Sequence, residues 1–238
     1  MDNLKIHNQA ITLVDQIEDQ LLTYFRKNNL LPGDSIPNEM ELANALGVAR
    51  SVLREALSRL KMLGLIECRT RRGMMLKEPT FLGAIKKIVD PRILSENTLF
   101  DILEFRIALE IGMCEDLFYY ITPQDIQELE DIEKLNTLFE NNEYSISDEF
   151  SFHAKLYQIT RNKTIIEFQD IIHPVMAFVK EKFKLLIEPI NVELKDNNEI
   201  VTHAMLLDLL RGGKCDEYRQ ALEKHFKVYK ILNRNRQK

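Results

Sequence analysis

Apolar residues recur at helical spacing along most of this 238-residue chain, and the pattern is sharpest between Asn38 and Arg59. There it predicts two short amphipathic helices broken at Gly47. The first carries Leu42, Ala43 and Leu46 on one face; the second carries Val52, Leu53, Ala56, Leu57 and Leu60. Helix, tight turn and helix form a helix-turn-helix unit, whose second helix is shaped to lie in a DNA major groove. That helix opens with Arg50 and Ser51 and shows Arg54 one turn later, away from the apolar stripe, so polar and cationic groups face outward at its N-terminal end. Two strand-like runs follow, near Ile66–Arg69 and Met74–Lys77. The cationic tip Thr70-Arg71-Arg72-Gly73 lies between them, as in the wing of a winged helix.

Beyond Glu78-Pro79 the pattern changes. A short helical run from Phe81 to Val89 ends at Asp90-Pro91, and Ser95-Glu96-Asn97-Thr98 is a helix start signal. From Leu99 onward the chain reads as helical almost to its end. Breaks are expected at Thr122-Pro123, Asn141-Asn142, Arg161-Asn162, Glu188-Pro189 to Asn198, and Gly212-Gly213. The expected fold is mainly α: an N-terminal winged helix-turn-helix over 1–78, a linker with a short helix over 79–96, and an all-α bundle of six long helices over 97–238. The lack of strand alternation in the second half argues against an α/β catalytic domain.

Net charge is −5, which alone disfavours nucleic acid as a partner, but its distribution reverses that reading. Residues 45–77 hold eight Lys/Arg against Glu55 and Glu67, a local balance of +6, so the remainder carries −11. A cationic head on an acidic body is an electrostatic footprint for DNA. No apolar run approaches the length of a bilayer span, and Met1-Asp2-Asn3-Leu4-Lys5 does not resemble a signal sequence, so no membrane partner and a cytoplasmic location are expected. Cys68, Cys114 and Cys215 are odd in number and far apart, as expected of thiols in a reducing compartment.

The second half carries its own candidate chemistry. Glu149 and His153 are four residues apart, about 40° in helical projection, and so share a face. His203 and His225 lie nearly equidistant from the Gly212-Gly213 break, so antiparallel helices on either side would bring both imidazoles to one level. One carboxylate and three imidazoles converging in a bundle form a first-row transition-metal site; the alternative is three ordinary packed or exposed histidines. Arg106 and Glu110 are also i,i+4, which fits either a structural ion pair or an anchor for an anionic ligand at Arg106. Neither remaining histidine is expected to carry chemistry: His173 is expected to be a packing or surface residue, and His7, before the first helix, to be solvated.

Several of these motifs together resemble the GntR family of bacterial transcription regulators. The matching positions are Ile36-Pro37-Asn38-Glu39, Leu42-Ala43, Gly47-Val48, Arg50, Arg54-Glu55-Ala56-Leu57, Gly64-Leu65 and Arg72-Gly73. Met40 stands in place of the family's backbone-contacting arginine, Ala49 in place of a serine, and Ser51 in place of a threonine. The C-terminal half is similar to the FCD ligand-binding domain of the FadR subgroup, through Glu149-Phe150-Ser151-Phe152-His153, Asn162, His203, His225 and the Arg106-x-x-x-Glu110 helix. Glu149 stands where that family has aspartate.

The resemblance implies a homodimeric repressor on a pseudo-palindromic operator in double-stranded DNA, with Ala49, Arg50, Ser51, Arg54, Arg71, Arg72 and Gly73 at the DNA. It also implies a divalent metal (zinc, nickel or manganese) on Glu149, His153, His203 and His225, and a small carboxylate effector beside Arg106 and Asn162. Two rival readings are a metal-dependent enzyme fused to a DNA-binding head and a regulator whose metal site Glu149 has disabled.

Overall fold

The computed structural model describes residues 11–137 and 146–236, apart from the side chains of residues 136–137 and 146–149. It divides into two compact units, Met1–Ala84 and Ile85–Lys238.

In the first unit, α1 (Leu13–Lys27) starts at a capping box between Thr12 and Asp15 and buries Val14, Ile17, Leu21 and Phe25 along one stripe. The second helix, α2 (Glu39–Leu46), starts at a second capping box, Asn38 with Glu41, and stops at Gly47, whose φ of 65° is the left-handed conformation that glycine adopts without steric cost. Next comes α3 (Arg50–Met62), which packs on α1 and α2. Leu42, Ala43, Leu53, Ala56, Leu57 and Leu60 are buried in one core with the α1 stripe, while Leu46 and Val52 pack partly buried against it. The wing is an antiparallel hairpin of β1 (Ile66–Arg69) and β2 (Gly73–Leu76), in register Ile66↔Leu76 to Arg69↔Gly73. β2 starts one residue earlier than its apolar run does. Its other edge is closed by the turn before α2: Gly33 N–H donates to the Leu76 carbonyl (2.8 Å) and Ile36 N–H to that of Met74 (3.0 Å).

The eight cations between residues 45 and 77 do not all face solvent alike. Arg59 reaches Asp15 (2.8 Å), Glu18 (3.5 Å) and Glu55 (3.0 Å), so its charge ties α3 to α1. Arg69 pairs with Glu67 (2.6 Å).

The second unit contains α4 (Gly83–Ile88) from its third residue on, then α5 (Glu96–Gly112), α6 (Cys114–Tyr120), α7 (Pro123–Thr137) and α8 (Ile146–Ile159). After these come α9 (Lys163–Lys182), α10 (Lys184–Asp196), α11 (His203–Arg211), α12 (Cys215–His225) and α13 (Lys227–Arg236). Three of the joins are single residues: Met113, Phe183 and Phe226, with φ/ψ of −84°/3°, −107°/17° and −85°/5°. Each is a buried bend within one long rod, so the described helices from α5 onward form six rods. Ser95 caps α5 by accepting from Thr98 N–H, and Pro123 takes the first position of α7, where a missing N–H is harmless.

The break expected from Glu188-Pro189 onward is not there: α10 runs through Pro189 to Asp196. Proline at this position forfeits the hydrogen bond to the Leu185 carbonyl, on a residue that is 82% exposed. The break expected at Asn141-Asn142 lies outside the described residues. In the bundle α5 packs on α9, α12 and α13, α8 lies against α7 and α9, and α11 and α12 form a hairpin across Gly213.

Ala49 occupies the N-cap of α3 with no side-chain hydrogen bond to the first-turn amides. Ala49→Ser is expected to stabilise the first unit by about 0.5–2 kcal/mol by restoring that cap. Chemical denaturation followed by circular dichroism checks this, and an unchanged or lowered midpoint would contradict it.

Candidate functional site

On the first unit, Arg50, Ser51 and Arg54 stand exposed on the first turns of α3, the face opposite Leu53 and Leu57. Arg54 Nε donates to Glu39 Oε2 at 2.7 Å, across the turn to the start of α2. Both partners are solvent-accessible, so this pair is worth at most about 1 kcal/mol and yields readily to a phosphate or base. Met40 is exposed on the first turn of α2, where an arginine would reach outward. Arg71 and Arg72 are exposed at the wing tip, next to Gly73. Arg71 has φ of 71° and Gly73 of 74°. A left-handed arginine costs on the order of 1 kcal/mol, and here it turns the hairpin while holding two guanidinium groups at its apex.

The second unit brings three histidines together. His153 comes from the middle of α8, His203 from the first position of α11 behind the cap Thr202, and His225 from the last position of α12, just before the Phe226 bend. Ring centroids lie 5.2 Å apart for His153–His203, 5.4 Å for His153–His225 and 4.9 Å for His203–His225. One ligating nitrogen from each falls within 4.8 Å of the others. The His203 ring stacks on Phe152 at 4.4 Å, which fixes its plane. Glu149 lies on the first turn of α8, one turn before His153, but its side chain lies outside the described residues.

Acceptor-only partners set two of the tautomers. His153 Nδ1 lies 2.6 Å from Glu110 Oε2, and His225 Nδ1 lies 2.7 Å from the Val201 carbonyl. A carboxylate and a carbonyl only accept, so both Nδ1 atoms carry the proton and both Nε2 lone pairs are left for another partner. His153 Nε2 is buried and has no hydrogen-bond partner among the described residues. Burial pushes His153 and His225 down to about 4 and His203 well below its usual value, so all three are neutral at neutral pH. Neutral imidazoles with outward Nε2 lone pairs and fixed Nδ1–H groups are the donor set that a borderline divalent cation requires.

Behind His153 is a buried network that local patterns in the chain do not reveal. Glu110 accepts from Arg106 Nε (2.7 Å), from Tyr157 Oη–H (2.7 Å) and from His153. Burial alone would raise the Glu110 carboxyl; His153 and Arg106 outweigh it and hold it at about 2. The Arg106 guanidinium also lies over the Phe226 ring, 5.1 Å from its centroid. Of the two readings of Arg106, the ion pair with Glu110 is therefore present, and Arg106 lines a cleft as well. That cleft has a free volume of about 20 Å³, bounded by α5, α8 and α9, with His153, Tyr157, Gln169, His173 and Lys180 on its walls. His173 is a packing residue: its ring lies against Phe150, centroids 3.7 Å apart, and it lines the cleft.

Asn162, expected beside the effector, caps a helix. It is exposed at the N-cap of α9, and its side-chain carbonyl accepts from Thr164 N–H (3.0 Å) and Ile165 N–H (3.3 Å). An asparagine just before a helix is a capping signal in its own right.

A winged helix-turn-helix joined to an all-α unit with an internal histidine cluster defines a DNA-binding regulator with a helical second domain. Comparison with known proteins agrees. Residues 13–76 match the bacterial regulatory proteins, gntR family, and residues 101–228 match the FCD domain. The chain is 30% identical over 168 residues to the uncharacterized HTH-type transcriptional regulator YcbG of Bacillus subtilis, covering 70% of each protein. It is 25% identical over 221 residues to the putative L-lactate dehydrogenase operon regulatory protein of Escherichia coli, covering 90% of this chain and 83% of that one. Among solved structures, a Streptococcus agalactiae GntR protein shares the fold with a TM-score of 0.54 and 22% identity, over 91% of this chain and 98% of that one. The chain belongs to the gntR family of bacterial regulatory proteins and carries an FCD domain. It is a DNA-binding transcription regulator.

Glu110→Gln is expected to strand the buried Arg106 charge and destabilise the second unit by about 3–5 kcal/mol. Urea unfolding followed by circular dichroism reads this. A loss under about 1 kcal/mol would mean that Glu110 does not hold Arg106 in solution.

Proposed function

We propose that the protein is a metal-dependent, effector-responsive repressor that binds a pseudo-palindromic operator as a homodimer. The observation that carries this reading is the convergence of His153, His203 and His225, all neutral, with the Nε2 lone pair of His153 buried and unshared. These three imidazoles, with Glu149 one turn before His153, would hold one divalent ion; zinc, nickel and manganese all accept such ligands. The bound ion supplies a positive centre that attracts a carboxylate. Glu110 and the Val201 carbonyl orient His153 and His225 for it, and the Phe152 ring holds His203 flat. Arg106, ion-paired with Glu110, borders the same cleft, and a small organic acid is the effector class proposed for the metal site. The printed role of the E. coli relative, in a lactate dehydrogenase operon, supports that class. Effector binding, passed along the linker over residues 79–96, would alter the placement of the two heads and release the operator.

At the DNA, Arg50, Ser51 and Arg54 would read bases and phosphates from α3, with the Ala49 and Ser51 backbone beside them. Arg71, Arg72 and Gly73 would place the wing on phosphates or in the minor groove. Alanine at Arg50 or Arg54 is expected to cost about 1–3 kcal/mol at the operator. Unchanged gel-shift affinity in both variants would rule out this docking. The paired change Arg71→Ala and Arg72→Ala should reduce the slope of log K against log salt by about 2; a constant slope would place the wing off the DNA.

The metal assignment is tested by elemental analysis. The wild-type protein is expected to hold about one ion per chain, and His153→Ala or His225→Ala to lose it together with effector response. Operator binding is expected to persist, because the DNA-reading residues lie in the other compact unit. Stoichiometric metal retained in a His153/His203/His225 triple alanine variant would refute the assignment.

A further inference from the structure

The α9–α10 rod carries apolar side chains on two opposite faces of its second half. Ile190 and Leu194 are buried on one face, in line with Phe183 at the bend. At 100° per residue the opposite face holds Leu185, Pro189 and Val192, in i, i+4, i+7 spacing, with Leu186 beside them. Leu185 is 82% exposed, Val192 59% and Leu186 54%, so the described residues leave this strip uncovered. A contiguous apolar strip with a charged rim marks an interaction surface. The rim here has Glu181 and Lys195 along one side and Lys182, Glu193 and Asp196 along the other, all exposed.

We propose that this strip pairs with the same strip of a second copy of the chain, antiparallel about a two-fold axis between Glu188 and Pro189. This deepens, and rests on, the reading of the protein as a homodimer. Charge complementarity selects both the occupant and the register. About that axis Leu185 stands level with Val192 of the second copy, and the symmetry repeats the contact in the other direction. On one side of the seam Glu181 comes within one residue's rise of Lys195 of the second copy. On the other, Lys182 comes within about 3 Å of height of Glu193 and Asp196 of the second copy. Lys182 also holds Glu96 at 2.8 Å, which fixes its place on the rim. Glu188 approaches its own copy near the axis, and Lys184, 3.8 Å away on the same helix, offsets it. Moving the axis to Leu185 would instead set Glu181 beside Glu188 of the second copy, like charge against like.

Sedimentation equilibrium of the full-length protein reads the dimer dissociation constant. Leu185→Glu together with Val192→Glu is expected to raise it at least about tenfold. Circular dichroism should not change, because both side chains are exposed within one chain. Charge reversal reads the register. Lys195→Glu should raise the constant about threefold or more at low salt, and adding Glu181→Lys should return it to within about twofold of the wild type. If the double glutamate variant does not fold, the charge exchange carries the test alone. A dimer that withstands the two glutamates places the interface elsewhere and overturns the proposal, while the homodimer reading stands. A dimer that Lys195→Glu leaves unchanged, or that Glu181→Lys does not rescue, overturns the antiparallel pairing. If the wild type is a monomer at every concentration measured, the homodimer reading itself fails and this assignment falls with it.

Discussion

A single buried carboxylate holds the second unit's chemistry in place. Glu110 receives hydrogen bonds from Arg106, Tyr157 and His153, joining α5 to α8 at the centre of the bundle. An ionised carboxylate is tolerated there only because a permanent cation lies against it, and Arg106 is tolerated only because Glu110 does. Their mutual requirement fixes a third property. Because ionised Glu110 only accepts, His153 keeps its proton on Nδ1 and turns Nε2 toward His203 and His225. The direction of that lone pair follows from a charge balance one shell further out.

The bends in the long rods serve the same end. Met113, Phe183 and Phe226 take φ/ψ values near −90°/0° although none of the three is itself proline or glycine, and all three are buried. Their side chains account for it. Phe183 packs on Phe100 at 5.4 Å, and Phe226 lies under the Arg106 guanidinium. Each ring gains more by reaching the core than its helix loses at one residue. The Phe226 bend also ends α12 at His225 and leaves Nδ1 of that residue on the Val201 carbonyl. Packing of an aromatic residue thereby sets the direction of the histidine beside it.

Features written locally were legible in the chain. Gly47, the apolar stripes of α2 and α3 and the Arg71-Arg72 tip are short-range signals, and the first unit follows them closely. His203 and His225 were also legible, because equal distance from a glycine turn determines height in a helical hairpin. What escaped depends on long-range contact. Nothing near position 110 announces His153, 43 residues away. Arg59 reads as one more surface cation until α1 brings Asp15 and Glu18 to it. The missing break at Pro189 goes with the exposure of Leu185, one turn before it. Asn162 carries two signals: a register match to a family pattern pointed to a ligand, and the capping rule gave its place at the start of α9.

The electrostatics of the cluster favour binding over turnover by its own side chains. A general acid or base works best with a pKa near the ambient pH. Here burial and pairing drive the groups away from it: His153 and His225 down to about 4, Glu110 to about 2, and Tyr157 well above its usual value. Each group is held in one protonation state, the condition for a constant ligand field and a constant charge around the cleft. A sensor needs that constancy, because its output is an affinity difference between states and any wandering charge would blur it. The first unit has the opposite design. Its exposed arginines at the turn and wing make only weak commitments, such as Arg54 to Glu39, and surrender them to DNA at little cost. Rigid charges inside the second unit and exchangeable charges on the first suit a protein that senses in one place and acts in another.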